Sequence, residues 1–269
     1  MIREPAVAGT FYPAGAAALA AGVDRYLAGG RGAAPGRRPS LGLVVPHAGY
    51  MYSGAVAGAT YAGATVPPRV LILGPNHTGL GSSRAALSPA EAWRTPLGAV
   101  PLDAALQGAL AGGPGVAPDA AAHAREHSLE VQVPFLQRAR PDVALGALCL
   151  AHLSYRECER LAETVAAAAR GAAALVVASS DMSHYLPAAQ ARAVDQRALE
   201  PLLALDAEGL YRRVHEEEIT MCGIIPAVVM LLAARALGAR EAELVRYAHS
   251  GEVSGDDDRV VGYAGVVVR

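Results

Sequence analysis

A chain of 269 residues with 52% hydrophobic residues is too apolar for a disordered polymer and long enough for one large α/β domain. The formal net charge of −2, with no basic run or aromatic–basic stripe, argues against a nucleic-acid partner. All 23 cationic side chains are arginine, so the chain itself offers no Schiff-base lysine, P-loop lysine or Ser–Lys dyad. Three cysteines (Cys149, Cys158 and Cys222) without C-x-x-C spacing argue against a disulfide framework or a zinc knuckle and fit a reducing cytosol. The opening MIREPAVAGTFYP lacks the basic start and apolar run of a signal peptide. The longest apolar stretch, 224–232, contains Pro226 and is too short to span a bilayer. A cytoplasmic location with no membrane partner is therefore expected.

Taken in chain order, the pattern predicts a helix over 13–28, then a surface loop over 29–39 (GGRGAAPGRRP). An apolar run at 41–46 (LGLVVP) predicts a strand, followed by a helix over 53–64 and a strand at 70–74 (VLILG). Helices are predicted over 103–111 and 128–138, with a loop at 112–118 between them. Then come a strand at 143–150, a helix over 154–170 and a strand at 175–179. Helices over 188–205, 208–216 and 223–237 precede a last strand at 260–268. Ser53, Asp103, Ser128 and Ser154 are the expected N-caps. Continuous apolar strands between helices mean strands buried on both faces. The expected fold is a single α/β domain over 1–269, with a central, largely parallel or mixed sheet flanked by helices on both faces.

Three of these strands run into chemistry. LGLVVP leads to His47-Ala-Gly-Tyr50, VLILGP to Asn76-His77, and LVVASS to Asp181-Met-Ser-His184. In open α/β sheets ligands bind beyond the carboxyl ends of the strands, so these side chains are expected on one rim. A lone buried His is usually structural, but three such strand ends are hard to assign to packing. Cys222 precedes a predicted helix, whose amides would favour a thiolate. The bland alternative is a buried structural cysteine, the reading adopted for Cys149 and Cys158. His123-Ala-Arg-Glu126-His127 spells H-x-x-E-H, a zinc-peptidase pattern that needs one well-formed helix. The sequence before it reads as loop, so the pattern is set aside, with Glu126 and His127 kept as candidate lining residues.

The blocks PHAGY (46–50), ILGPNH (72–77), RTPLG (94–98), EHSLEVQVPFL (126–136), SSDMSH (179–184) and TMCG (220–223), with the opening REPAVAGTFYP, resemble the Memo family. Its bacterial and archaeal members are called AmmeMemoRadiSam system protein B. The resemblance implies a fold similar to the class III extradiol dioxygenases, which are non-haem iron enzymes. It implies one metal ion on His47, His77 and Cys222: iron(II), with copper or zinc as alternatives. It makes His184 the acid/base residue and Asp181 a pocket residue, expected as the second catalytic residue that orients His184 or tunes its pKa. Tyr50, Asn76, Glu126 and His127 are the expected substrate contacts. A cysteine replaces the carboxylate of the dioxygenase site, which softens the site and speaks against catechol-ring cleavage. Radical SAM and Ammecr-type proteins are the implied partners, and the substrate is an unspecified small molecule or peptide. Three functional classes follow: a metal-dependent oxidoreductase, a non-catalytic metal- or peptide-binding scaffold, and a cysteine hydrolase using Cys222, His184 and Asp181.

Overall fold

The computed structural model of the chain describes residues 1–30 and 39–269. The loop expected over 29–39 falls largely outside the described residues. The elements begin with β1 (Ile2–Arg3), α1 (Ala16–Gly30), β2 (Gly42–Val45), α2 (Tyr50–Gly63) and β3 (Arg69–Pro75). There follow β4 (Ala85–Leu87), β5 (Ala92–Thr95), β6 (Gly98–Pro101), α3 (Ala104–Ala111), β7 (Val116–Pro118) and α4 (Ala120–Ala124). A 3₁₀ turn (Glu130–Gln132) leads into α5 (Val133–Ala139), β8 (Ala144–Leu150), α6 (Tyr155–Ala172) and β9 (Leu175–Ser179). The last third holds β10 (His184–Leu186), α7 (Ala188–Leu203), α8 (Ala207–Glu216), α9 (Ile224–Leu237), β11 (Ala242–His249), α10 (Gly251–Ser254) and β12 (Val260–Val268).

Four apolar strands form the centre of a mixed sheet. They lie in the order β2-β9-β3-β8, all parallel. β12 joins β2 antiparallel and carries β10 and β11, while β4 and β7 extend the other side beyond β8. A separate three-stranded sheet has the order β1-β5-β6.

Alternation along each central strand feeds two cores. Val44, Leu71, Leu73 and Val176 face a layer with Leu106 of α3, Leu161 of α6, Leu210 of α8 and Val228 of α9. Leu43, Ile72 and Val177 face the opposite layer, with Leu19 of α1, Ala57 of α2 and Phe135 of α5. Each fully buried Val, Leu or Ile contributes roughly 1.5–3 kcal/mol of transfer free energy. Helices on both faces are the physical reason these strands, beyond the exposed Arg69 at the start of β3, contain no solvent-facing polar positions. Among the described residues, no helix is long and apolar enough to cross a membrane.

Local chemistry moved several boundaries. Ser154 caps α6 through a reciprocal capping box with Glu157, and Asp103 caps α3 by accepting from the Leu106 amide. Ser53 does not cap α2. That helix starts at Tyr50, and the Ser53 hydroxyl bonds back to the Ala48 carbonyl. Ser128 is not a helix cap either; its hydroxyl donates to the Pro75 carbonyl. The segment expected as loop at 112–118 contains β7, and Asp119 caps the short α4.

The N-terminal segment is pinned to the body by one buried carboxylate. Glu130 pairs with Arg3 at 2.7 Å, with side-chain exposures of 1% and 7%. It also accepts from the Ala6 and Val7 amides and the Tyr12 hydroxyl. Removing one member of such a pair strands the other charge in low dielectric. Glu130→Ala is expected to cost about 3–5 kcal/mol of unfolding free energy in a urea titration. A loss below about 1 kcal/mol would contradict the assignment.

Candidate metal centre

The sheet topology places the three strand ends side by side. β2, β9 and β3 are adjacent and parallel, so Pro46-His47, Ser180-Asp181 and Asn76-His77 leave the same edge. Cys222 is supplied by a different segment, two residues before α9. One ligand atom each from His47, His77 and Cys222 lie within 4.8 Å of one another. That donor set and spacing could hold one metal ion.

The end of β9 positions two of the three. The Ser179 hydroxyl meets His47 Nδ1 at 2.9 Å, and Asp181 Oδ1 accepts the His47 backbone N–H at 2.7 Å. The Ser180 hydroxyl accepts the Gly223 amide, and the Asp181 amide donates to Cys222 Sγ at 3.3 Å. Gly223 has to be glycine for this approach. A Cβ there would collide with the Ser179 carbonyl oxygen and the Ser180 Cβ.

Hydrogen-bond accounting assigns the tautomers. The Ser179 hydroxyl has one proton, given to the Ser128 carbonyl at 2.6 Å, and it accepts from Gln132 Nε2 at 2.8 Å. The remaining bond must come from His47 Nδ1–H, which leaves His47 Nε2 with a free lone pair. The Glu126 carboxylate accepts His77 Nδ1–H at 2.9 Å and the His77 amide at 2.6 Å, leaving His77 Nε2 free in the same way. A carboxylate or hydroxyl behind a ligating imidazole is the usual means of fixing its orientation. His184 Nδ1 meets the Thr220 carbonyl at 2.8 Å, so its Nε2 is also unprotonated.

Burial favours the neutral form of three cleft imidazoles, His47, His127 and His184. Burial, followed by the neighbouring His77, His127 and His184, holds the His47 imidazolium well below its ordinary range. Burial likewise lowers His127 and His184, partly offset by Glu126 and by the Thr220 carbonyl respectively. Burial alone would raise Glu126, but the hydrogen bonds from His77 and the Ser128 amide outweigh it and hold its carboxyl at about 2. Burial pushes Asp181 up to about 7, against the lowering effect of the His47 amide. The sequence pointed to a thiolate at Cys222. Instead, burial and then the Asp181 carboxylate push the thiol up, outweighing the amides of Asp181 and Gly223.

His47, His77, His127, Asp181 and His184 all line one cleft of about 490 Å³. His127 stacks on His77 with ring centroids 4.6 Å apart, and Phe11 packs on His127 at 4.6 Å. Three expected substrate contacts lie elsewhere. Tyr50 is buried, and its hydroxyl is tied to the Val131 carbonyl. Asn76 closes its own turn through Leu80, Thr78 and Gly79. Glu126 is 1% exposed and stands behind His77. Their polar atoms are already used: Tyr50 by the backbone, Asn76 by its own turn and Glu126 by His77 and the Ser128 amide.

The same geometry removes the H-x-x-E-H alternative and shows no hydrogen-bonded Cys222–His184–Asp181 triad. In H-x-x-E-H, His123 is buried, meets the Ala86 carbonyl through Nε2 and packs edge-on against Trp93. α4 ends at Ala124, so no single helix presents both histidines. For a cysteine hydrolase, Cys222 Sγ faces His47 Nε2 at 3.2 Å, and the Asp181 carboxylate is bound to the His47 amide. Neither contact links Cys222, His184 and Asp181 as nucleophile, base and orienter. Sequence reasoning missed Ser179, Gln132 and Gly223 as supports, although each sits inside a quoted block. A polar residue closing an apolar strand, as Ser179 does, was the available signal.

Fold and cleft together define a single-domain α/β protein with a two-histidine, one-cysteine centre at the carboxyl edge of its sheet. The family profile described as Memo-like protein matches residues 3–267. A MEMO1 family protein of Aquifex aeolicus is 41% identical, covering 99% of this chain and 98% of its own. A MEMO1 family protein of Methanopyrus kandleri is 41% identical over 100% of this chain and 99% of its own. One of Archaeoglobus fulgidus is 39% identical over all of both chains. The chain belongs to the Memo family.

The tautomer assignment is directly testable. Long-range ¹H–¹⁵N NMR of metal-free protein at pH 7.5 is expected to show His47, His77 and His184 protonated at Nδ1. His47 should stay neutral on lowering the pH to 6, since its folded-state value is depressed and charging requires more acid. An Nε2–H tautomer or an imidazolium at His47 would contradict the network.

Proposed function

We propose that the protein is a metal-dependent oxidoreductase with iron(II) on His47, His77 and Cys222. The observation that carries this reading is the pair of Nδ1-anchored imidazoles on the cleft wall, presenting free Nε2 atoms beside the Cys222 thiol. Burial holds the His47 imidazole in its neutral, ligand-ready form, and the Cys222 thiol has to lose a proton on binding. The Asp181 amide at 3.3 Å would steady the resulting sulfur charge. A ferrous ion there would supply Lewis acidity and a redox-active centre.

The chain's own residues divide the remaining work. His184 is neutral near pH 7 and keeps an unprotonated Nε2, so it can take a proton from a substrate hydroxyl and return it. Asp181 holds the His47 backbone in place and, with its carboxyl at about 7, can carry a proton at the cleft surface. Phe11 packs tilted on His127, and the two rings form a side of the cleft that limits water around the reacting group.

A second reading, a non-catalytic docking protein, is favoured by exposed apolar residues adjacent in sequence to cleft residues. Met51 and Val253 neighbour the cleft residues Tyr52 and Ser254 and are 64% and 50% exposed. One experiment separates the two. Protein purified anaerobically is loaded with ferrous iron, assayed for metal, and tested for O₂ consumption on a panel of phenols. Wild type is expected to retain one equivalent of iron, while His47→Ala and Cys222→Ser lose it. His184→Gln is expected to keep iron and lose about 10²–10⁴-fold in turnover. Equal iron in wild type and His47→Ala would overturn the metal assignment; bound iron without turnover on any phenol would favour docking.

A further inference from the structure

The strand beside His184 contains a feature that packing does not explain. β10 pairs antiparallel with β12 through His184↔Val261 and Leu186↔Val260, and the register shifts between them. Tyr185 is the extra residue of this bulge. Its φ is 62°, in the left-handed region that a bulky side chain seldom enters. Bulges next to functional sites re-aim a side chain. Here the result is a tyrosine left 64% exposed at the mouth of the cleft, so burial does not offset the backbone strain.

Arg259 meets it from the facing strand. It sits one residue before β12, and its guanidinium lies 5.4 Å from the Tyr185 ring centroid. It is the only lysine or arginine among the described residues lining the cleft. No carboxylate among the described residues lies within ion-pair distance of it. The nearby acidic lining residue, Asp256, turns its carboxylate into its own loop to accept the Asp258 amide. The loop is held at both ends: Ser250 exchanges bonds with Val261, and the Asp257 carbonyl accepts the Ala188 amide. The backbone that carries Arg259 is therefore fixed, and its guanidinium packs on the Tyr185 ring at the cleft. Deeper in the cleft, Phe11, Tyr52 and Tyr263 supply aromatic walls.

We propose that Tyr185 and Arg259 form a ring-and-anion subsite, so the cleft takes a small aromatic compound carrying a compact anionic group such as a carboxylate. The anion pairs with Arg259 at the exposed mouth. The ring lies along Tyr185 and the aromatic walls, and the opposite end of the molecule reaches toward His47, His77 and Cys222. This deepens the reading of the cleft as a small-molecule site and rests on that reading.

The test compares two isosteric probes, 4-hydroxybenzoate and the neutral 4-hydroxybenzamide, by titration calorimetry on zinc-loaded and metal-free protein. Wild type is expected to bind the carboxylate about tenfold more tightly than the amide. Arg259→Gln should bring the two affinities within about twofold while leaving the amide's affinity unchanged. Tyr185→Gly should weaken both probes and raise the thermal midpoint, since glycine relieves the left-handed backbone. Equal wild-type affinities, a preference that survives Arg259→Gln, or no saturable binding of either probe at millimolar concentration would overturn the subsite. Because metal content is measured separately, loss of metal binding with the preference intact would count against the metal centre alone. Metal binding without the preference would count against the subsite alone.

Discussion

The candidate centre depends on one hydroxyl proton. Ser179 has a single hydrogen to give, and the Ser128 carbonyl takes it at 2.6 Å. Gln132 donates into the same oxygen, with its own carbonyl end fixed by the Tyr61 hydroxyl. His47 therefore has to donate from Nδ1, and its Nε2 is left facing Cys222. The same strand end then uses the next two residues to hold Gly223 and Cys222. Three consecutive positions thus connect β9 to both a ligand-type imidazole and a ligand-type thiol. The parallel order β2-β9-β3 brings His77 to the same edge.

The supporting shell is less exposed than the residues it supports. Glu126, Gln132 and Ser179 are 1% exposed or less, whereas His77 and His184 reach the cleft surface. Burial raises the cost of every unmade hydrogen bond there, so the shell has one satisfied arrangement and the imidazoles follow it. The same burial pushes the Cys222 thiol up and Asp181 to about 7. In the metal-free centre the thiol is held protonated, and charge appears on the sulfur only when a cation is present to compensate it.

Much of this was legible in the sequence, for identifiable reasons. β9 and β12 fall where their apolar runs predict, because strands buried on both faces leave continuous hydrophobic stretches. Ser154 was readable as a cap because Glu157 completes the box three residues on. β11 was missed because it mixes charged residues such as Glu243 and Arg246 among exposed and half-buried positions. β4, β5, β6 and β7 are three or four residues long, too short for periodicity to register. At the site, strand ends revealed His47, His77 and Asp181. The positions of Tyr50, Asn76 and Glu126 were not legible. A motif residue looks the same whether its polar atoms face a ligand or are already used behind one. The direction of the Cys222 shift was hidden likewise, since helix-end amides are visible in the sequence and depth of burial is not.

The central claim is that two imidazoles and one thiolate meet on a single ion. X-ray absorption at the edge of the bound metal, on protein loaded to one equivalent, tests it most directly. The account expects a shell of nitrogen or oxygen scatterers at about 2.0–2.1 Å and a single sulfur at about 2.3 Å for zinc, with the sulfur lost in Cys222→Ser. A spectrum without sulfur, or a sulfur shell that survives Cys222→Ser, would contradict it.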